Sequence, residues 1–343
     1  MVGNVQVGGG ALPVVQSMTN TATSDVQATL EQIRRLADAG CEIVRCAIPN
    51  ADALEGFEQI AAASPLPVVA DIHFDHELAI EAARRGAAKL RINPGNIGST
   101  DRVDEVIEAA KEAGIPIRIG VNSGSLEREI DKLDIPLFEK LAQSALSFVR
   151  HFESRGFTDI VISVKASNVR EAIEANRLIA KETDYPLHIG VTEAGNAFSG
   201  TVKSAVGLGV LLEEGIGDTL RVSLTADPVE EIDAAYEILS ALDIRRNKAE
   251  VISCPTCGRC QVDLIDIARQ VNSRLDEVPQ HLKLAVMGCV VNGPGEAREA
   301  DFGIACGKGS GMIFAHGKPL RKVSESEMVD ELFAEIMTHC QPL

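Results

Sequence analysis

Pro116-Ile117-Arg118-Ile119-Gly120-Val121-Asn122 is the stretch on which the fold turns. Along a strand, successive side chains point to opposite faces. Ile117, Ile119 and Val121 therefore share one face, and Arg118 and Asn122 share the other across Gly120. A strand with one apolar and one cationic face needs two different neighbours. Helices on the outside of a closed barrel would take the apolar parity, and the lumen would take the polar one. The upstream neighbour repeats the pattern. In Lys89-Leu90-Arg91-Ile92-Asn93, Arg91 and Asn93 oppose Leu90 and Ile92, and Pro94-Gly95-Asn96 leads on to a helix ended by Gly114. Downstream come a longer insertion and a helix from about Leu137 to Arg155. The run from Asp159 to Lys165 then sets Ser163, Lys165 and Ser167 against Ile162 and Val164.

The same succession of β-branched run, polar loop and amphipathic helix extends from residue 11 to about residue 245. Upstream lie Pro13–Met18 with a helix from about Asp25 to Ala39, and Glu42–Ile48 with a helix from about Asp52 to Ala63. Pro67–Phe74 follows, with a helix to Arg85 stopped by Gly86. Asp25 suits an N-cap, and Gly40 suits the position just past a helix end. Downstream, a helix spans about Val169 to Glu182, and Leu187–Glu193 leads through a Gly/Ser-rich loop to a helix over Val202–Glu214. The last run, Thr219–Thr225, sets Arg221, Ser223 and Thr225 against Leu220, Val222 and Leu224, before a helix over Pro228–Leu242. Eight strand–helix units in about 235 residues match a (β/α)8 TIM barrel. A doubly wound open sheet is the alternative, but eight is the number that closes.

This parity sends Arg45, Arg91, Arg118, Lys165 and Arg221 into the lumen, at or near the C-terminal strand ends where barrels carry their sites. Cations converging on one mouth repel each other unless an anion joins them. Arginine offers bidentate geometry to phosphate oxygens, so an anionic, polyphosphorylated ligand is the expectation. The bland reading pairs each cation with a carboxylate such as Asp71 or Glu193. Glu193, at the end of the seventh run, is either a general acid/base or a loop carboxylate neutralising a neighbouring cation. Asp71 and His73 share a parity and read as a structural pair, or as a source of supporting hydrogen bonds.

Composition narrows the class further. A net charge of −17 rules out a broad basic footprint for nucleic acid or anionic membrane. Aromatic residues are only 3 % with no Trp, which disfavours stacking platforms for single strands. Met1-Val2-Gly3-Asn4 lacks the features of a signal peptide, and no apolar run reaches spanning length, so a soluble cytoplasmic protein is expected. In that setting the eight cysteines read as reduced thiols and metal ligands.

After Asp243 the pattern changes to α+β. Ile244-Arg245-Arg246-Asn247-Lys248 is the expected link, with a barrel over 1–245 and a smaller domain over 249–343. The smaller domain opens with a short strand over Glu250–Ser253 and Cys254-Pro255-Thr256-Cys257, followed by a helix over about Val262–Leu275. An apolar strand, Leu282–Met287, leads to Gly288-Cys289-Val290-Val291-Asn292-Gly293-Pro294-Gly295-Glu296. A hairpin-like stretch (Phe302–Lys318) and a helix near Ser326–Met337 complete it. Two cysteines at i, i+3 aim both sulfurs at one centre, and the third arrives in a Gly/Pro loop whose backbone can approach a bulky cluster. Cys254, Cys257 and Cys289 could hold zinc with His281, or an iron–sulfur cluster with Glu296. Cys260 extends the turn to Cys-x-x-Cys-x-x-Cys and competes for a ligand position.

Taken in order, these motifs resemble the 4-hydroxy-3-methylbut-2-enyl diphosphate synthase family of the methylerythritol phosphate route to isoprenoids. The resemblance rests on Val15-Gln16-Ser17-Met18-Thr19-Asn20-Thr21, Ala70-Asp71-Ile72-His73-Phe74 and Leu90-Arg91-Ile92-Asn93-Pro94-Gly95-Asn96-Ile97-Gly98. It continues through Ile117–Asn122, Ser163–Ser167, Thr192-Glu193-Ala194-Gly195, Arg221-Val222-Ser223 and both cysteine loops. It implies reductive ring opening of 2-C-methyl-D-erythritol 2,4-cyclodiphosphate with loss of water, by electrons from flavodoxin or ferredoxin. It also implies a sulfite-reductase-like α+β domain with a [4Fe-4S] cluster on Cys254, Cys257, Cys289 and Glu296. Arg45, Arg91, Arg118, Asn122, Lys165, Arg221 and Ser223 would grip the diphosphate or substrate hydroxyls, and Glu193 would handle protons. A homodimer, with one subunit's cluster domain over the other's barrel mouth, is implied as well. Two departures stand out: Cys260 occupies a position where such relatives usually lack cysteine, and the chain starts almost at its first strand, as if a short basic leader had been trimmed. Outside the family, two readings survive. One is a zinc-stapled phosphate-binding barrel without redox function. The other is a sulfite-reductase-like electron-transfer module that binds no diphosphate.

Overall fold

A computed structural model of the chain describes residues 1–279, 281–289 and 300–339. The backbone divides into two compact units, Met1–Arg245 and Arg246–Leu343.

The strands of the first unit are β1 (Val14–Met18), β2 (Ile43–Ala47), β3 (Val68–Asp71), β4 (Lys89–Ile92), β5 (Ile117–Asn122), β6 (Ile160–Lys165), β7 (His188–Ile189) and β8 (Thr219–Leu220). All pair in parallel in the order β6-β5-β4-β3-β2-β1-β8-β7. A parallel bridge from Ile162 to Leu187, just before β7, closes the ring. Its helices are α1 (Val26–Asp38), α2 (Asp52–Ala63), α3 (His76–Arg84), α4 (Pro94–Ile97), α5 (Thr100–Ala113), α6 (Arg128–Asp131), α7 (Leu137–Ser154), α8 (Val169–Glu182), α9 (Ala197–Glu213) and α10 (Pro228–Ala241).

Local chemistry accounts for the boundaries. Asp25 caps α1 by accepting from the Ala28 amide at 3.1 Å, and Gly40 follows that helix at φ 100°. The apolar parity of the strands packs under the helices: Ile117, Ile119, Ile162, Val164 and Leu220 are fully buried in one core. At the N-terminal end of the barrel, Val2 packs with Val14, Ile43 and Val69 and bridges to Val5, placing an apolar floor beneath the lumen.

The seventh and eighth strands are shorter than the sequence runs suggested. Thr192 begins a turn, and Glu193 adopts φ 53°, a left-handed conformation that no strand accommodates. After Leu220, the Leu224 amide donates to the Glu231 carboxylate at 3.1 Å and Thr225 donates to the Gly195 carbonyl, so the backbone leaves the ladder.

The second unit is a five-stranded sheet in the order β13-β12-β11-β10-β9. Its strands are β9 (Glu250–Ser253), β10 (Lys283–Met287), β11 (Phe302–Gly307), β12 (Ser310–Ala315) and β13 (Lys318–Ser324). The first three are parallel and the last two antiparallel. The flanking helices are α11 (Leu264–Asn272) and α12 (Met328–His339). Leu284, Val286, Ile304, Ile313, Leu332 and Ile336 form their shared core. Among the described residues, no helix is long and apolar enough to cross a membrane.

Candidate active site

Register explains why the barrel cations meet. Asp71 on β3 pairs with Arg91 on β4, and Arg91 with Arg118 on β5. Asn122, the half-buried last residue of β5, aligns with Lys165 on β6. Arg91 Nη1 donates to Asp71 Oδ1 at 3.0 Å, and Arg45 Nε stands 3.7 Å from Asp71 Oδ2. His73 Nε2 lies 3.4 Å from the same carboxylate oxygen, so the expected Asp71–His73 pair is present. Burial opposes ionisation of Asp71, yet Arg45, His73 and Arg91 outweigh it and hold the carboxyl far below its usual range. A pocket beside Asp71 and His73, at the ends of β2 and β3, is also lined by Ala47, Pro49 and Phe74.

One buried carboxylate cannot balance this lumen. Arg118 is 1 % exposed, and neither Nε nor Nη1 has a hydrogen-bond partner. Burial first, then Arg45 and Arg91, pushes its guanidinium well below the ordinary arginine range. Two further lumen residues were not singled out in the sequence. Lys89 is fully buried with an unpartnered Nζ, and Gln16 is buried with both amide atoms unpartnered. Orphaned buried donors of this kind are costly, and an anion or ordered water that reaches them recovers the cost. Lys89 shares the parity of Arg91, which is the signal that could have found it.

Lys165 Nζ lies 3.1 Å from His188 Nε2, and His188 Nδ1 lies 2.7 Å from Thr219 Oγ1. Glycine makes room for this chain. A Cβ on Gly190 would stand 2.6 Å from Lys165 Nζ, and one on Gly120 would stand 2.8 Å from Arg91 Nε. Two residues beyond Thr219, Arg221 is gripped by Glu231 of α10, through Nε and Nη2 at 3.1 Å each. Glu231 also accepts from Ser17 Oγ at 3.0 Å. No strand pattern points to Glu231, because it arrives from a helix.

Arg45, Arg91, Arg118, Lys165 and Arg221 thus share one electrostatic environment. Ser223 is half-buried just past β8. Glu193 is exposed, and among the described residues none of the five cations pairs with it, which removes it as their structural counter-charge.

In the second unit, parallel pairing of β9 with β10 brings their C-terminal ends together, with Ser253 opposite Val286. Cys254 and Cys289 follow these two ends. The Gly288 amide donates to Cys254 Sγ at 3.2 Å, and a Cβ on Gly288 would stand 3.4 Å from Cys254 Sγ and 2.9 Å from Cys260 Sγ. The Arg259 amide and then its side chain lower the Cys257 thiol, favouring thiolate, and the Arg259 guanidinium also engages Cys289. Among the described residues, no three His, Cys, Asp or Glu side chains are already closed on a single metal ion. The soft donor set and the glycine-lined approach nevertheless fit a bulky sulfur-ligated centre. His281, the zinc candidate, is exposed ahead of β10, and Glu296 lies outside the described residues.

Comparison with known proteins agrees with this two-part architecture. The family model described as the GcpE TIM-barrel domain matches residues 1–236, and that described as the GcpE protein C-terminal domain matches residues 250–338. The 4-hydroxy-3-methylbut-2-en-1-yl diphosphate synthase (flavodoxin) of Geobacter sulfurreducens is 57 % identical over 336 residues, covering 98 % of this chain and 95 % of that protein. The protein of the same name from Aquifex aeolicus is 55 % identical over 336 residues, covering 98 % and 94 %. Among solved structures, type I 3-dehydroquinate dehydratase from Clostridium difficile is similar with a TM-score of 0.52 at 14 % identity, over 71 % of this chain and 96 % of that one. A dihydropteroate synthase gives 0.51 at 14 % identity, over 70 % of this chain and 100 % of that one. At such identity these two share the fold alone. With both family models matched in order along the chain, and more than half of its residues identical to those of near-full-length relatives, this protein belongs to the GcpE family.

Proposed function

We infer that this chain catalyses the reductive ring opening and dehydration of 2-C-methyl-D-erythritol 2,4-cyclodiphosphate to 4-hydroxy-3-methylbut-2-enyl diphosphate, a step of isoprenoid biosynthesis. The observation that carries the reading is the barrel lumen of a GcpE-family chain, where buried cations outnumber their carboxylates and Arg118 keeps two unpartnered nitrogens. A diphosphate supplies the missing negative charge and accepts from those donors. Arg45, Arg91, Arg118, Lys165 and Arg221 would hold its phosphates, and Asn122 and Ser223 would meet hydroxyl or phosphate oxygens. Glu193 would hold and deliver a proton from its left-handed turn after β7, a strained backbone of the kind that clusters at active sites.

Cys254, Cys257, Cys289 and Glu296 would hold a [4Fe-4S] cluster, which when bound supplies the reaction's electrons one at a time. Arg259 would steady two of the thiolates and offset part of their charge. Flavodoxin, which the relatives carry in their names, is the proposed donor, with ferredoxin in the same role as an alternative. A homodimer and a cytoplasmic setting complete the proposal. The zinc-stapled barrel finds no support here, because the near-full-length relatives are named as flavodoxin-dependent synthases.

The test is anaerobic purification, quantification of iron, sulfide and zinc, and turnover of the cyclic diphosphate with reduced flavodoxin. About four irons per chain and formation of the linear diphosphate are expected. Zinc without sulfide would overturn the redox reading, and a cluster indifferent to the cyclic diphosphate would favour an electron-transfer module.

A further inference from the structure

His188 joins Lys165 to Thr219 in a buried chain: Nζ to Nε2 at 3.1 Å, and Nδ1 to Oγ1 at 2.7 Å. His188 and Thr219 are 0 % exposed and Lys165 is 8 % exposed. An ammonium carries only donors, and so does an imidazolium, so the contact cannot join two fully protonated groups. Two arrangements satisfy it best, because an imidazole N–H is a far stronger donor than the N–H of a neutral amine, so a neutral Lys165 serves as the acceptor. In the first, a neutral Lys165 amine accepts from His188 Nε2–H, and Nδ1 accepts the Thr219 hydroxyl hydrogen. In the second, an ammonium at Lys165 donates to bare Nε2, and Nδ1–H donates to the Thr219 oxygen. The threonine hydroxyl, able to donate or accept, serves both. The second arrangement holds one more proton, on Lys165, and the imidazole's own proton has moved from Nε2 to Nδ1. His188 is neutral in each.

The surroundings choose between them. Arg45 from β2, Lys89 and Arg91 from β4, Arg118 from β5 and Arg221 just past β8 all bear on this chain. Among the described residues, the carboxylates paired with these cations are Asp71 on β3, shared by Arg45, Arg91 and His73, and Glu231 on α10, taken by Arg221. In a low-dielectric lumen with this excess of positive charge, the arrangement without the extra proton is favoured. An incoming anion reverses the balance.

We propose that capture of the anionic substrate is coupled to uptake of one proton by Lys165, with His188 as the positioning residue that changes tautomer against its Thr219 anchor. The proposal rests on the reading of Lys165 as a ligand of the substrate diphosphate. Burial first, and then Arg118 and Arg45, hold the Lys165 ammonium well below the ordinary lysine range, in keeping with a neutral amine before binding.

The probe is 2-C-methyl-D-erythritol 2,4-cyclodiphosphate itself, added to the anaerobic full-length protein without reductant. Each of its phosphates carries one ester link, one anhydride link and a single strongly acidic oxygen, and neither titrates near neutral pH, so any proton uptake belongs to the protein. Calorimetry at pH 8 in two buffers of different protonation enthalpy is expected to give about one proton taken up per ligand bound. In 15N-histidine NMR, with His188 assigned through His188→Gln, the protonated nitrogen is expected to move from Nε2 to Nδ1. Thr219→Val leaves the Nδ1–H without an acceptor, so affinity at pH 8 should fall roughly tenfold and its pH profile should shift to lower pH, while Thr219→Ser restores both. Binding with an unchanged His188 tautomer, or without proton uptake, would overturn this proposal alone. A Lys165→Met variant that binds as tightly as the parent would overturn both the proposal and the assignment of Lys165 to the substrate site.

Discussion

Glu231 holds Arg221 by a two-pronged contact, with Nε and Nη2 each 3.1 Å from a carboxylate oxygen, although one residue follows a strand and the other sits in the first turn of α10. The Glu231 side chain is 4 % exposed and also accepts from Ser17 Oγ and the Leu224 amide. Arg221 is thereby aimed before any ligand arrives. Removing the carboxylate strands a guanidinium among other cations, and removing one partner of such a pair costs about 3–5 kcal/mol. Glu231→Ala should therefore lose stability on that scale in urea unfolding and weaken substrate binding. Glu231→Gln, which keeps the shape and one acceptor, should lose less of both. Equal losses from the two variants would show that the charge carries the whole effect.

Gly190 is the position where space limits the lumen most sharply. A Cβ there would meet Lys165 Nζ at 2.6 Å and the Arg221 carbonyl at 2.7 Å. The lysine end could swing away, but the carbonyl belongs to the backbone and cannot. Gly190→Ala should displace Lys165 from His188 and lower kcat/KM by roughly tenfold or more, chiefly through a higher KM, because the interaction lost is with bound substrate. Gly209→Ala on α9 has nothing within 4 Å of the added carbon and is the matched control. It should leave the kinetics unchanged and add about 0.5–1 kcal/mol of stability from helix propensity.

These two positions mark where the sequence stopped being legible. The strand parity that put Arg91 and Arg118 in the lumen is a local property, because a period of two fixes the face whatever the fold. Glu231 belongs to a helix whose Ile232, Ala235 and Leu239 pack into the barrel core, and only the closure of β8 onto β1 brings it under Arg221. His188 hid inside an apolar run, where a single histidine reads as one more strand residue until Lys165 is placed against it. Cys254 and Cys289 are a different case. Their separation in sequence is bridged by the parallel pairing of β9 and β10, which follows from a strand–helix–strand order visible in the residues. The shortening of β7 and β8 was not legible, because it depends on the Glu193 backbone and on the Leu224 amide turning to a side chain.

Asp71 links the site to acid stability. Burial alone would raise its pKa, but Arg45, His73 and Arg91 hold the carboxyl far below its usual range. A group depressed in the folded state stabilises fully above its unfolded pKa of about 3.9 and loses that contribution as pH falls below it. Asp71→Asn should be less stable than the parent at pH 7, and the gap should narrow steadily from pH 4 downward as the parent's own carboxylate becomes the site of proton uptake on unfolding. Urea midpoints at pH 7, 5 and 3 measure this. A gap that stays constant across that range would mean that Asp71 contributes packing and not charge.

Cys260 and Cys254 both lie against Gly288, yet their hydrogen bonding differs in kind. Cys254 Sγ accepts from the Gly288 amide at 3.2 Å. Cys260 Sγ instead donates to the Val262 carbonyl at 3.4 Å. A metal ligand must surrender its proton, so the Cys254 contact can persist on ligation, whereas the Cys260 contact would have to break. Anaerobically reconstituted Cys260→Ser should keep about four irons and matching sulfide per chain. Cys254→Ser and Cys257→Ser should keep well under half of that, with the fold of the barrel unit unchanged by circular dichroism. Loss of iron from Cys260→Ser equal to that from Cys254→Ser would put Cys260 in the donor set and displace Glu296 from it.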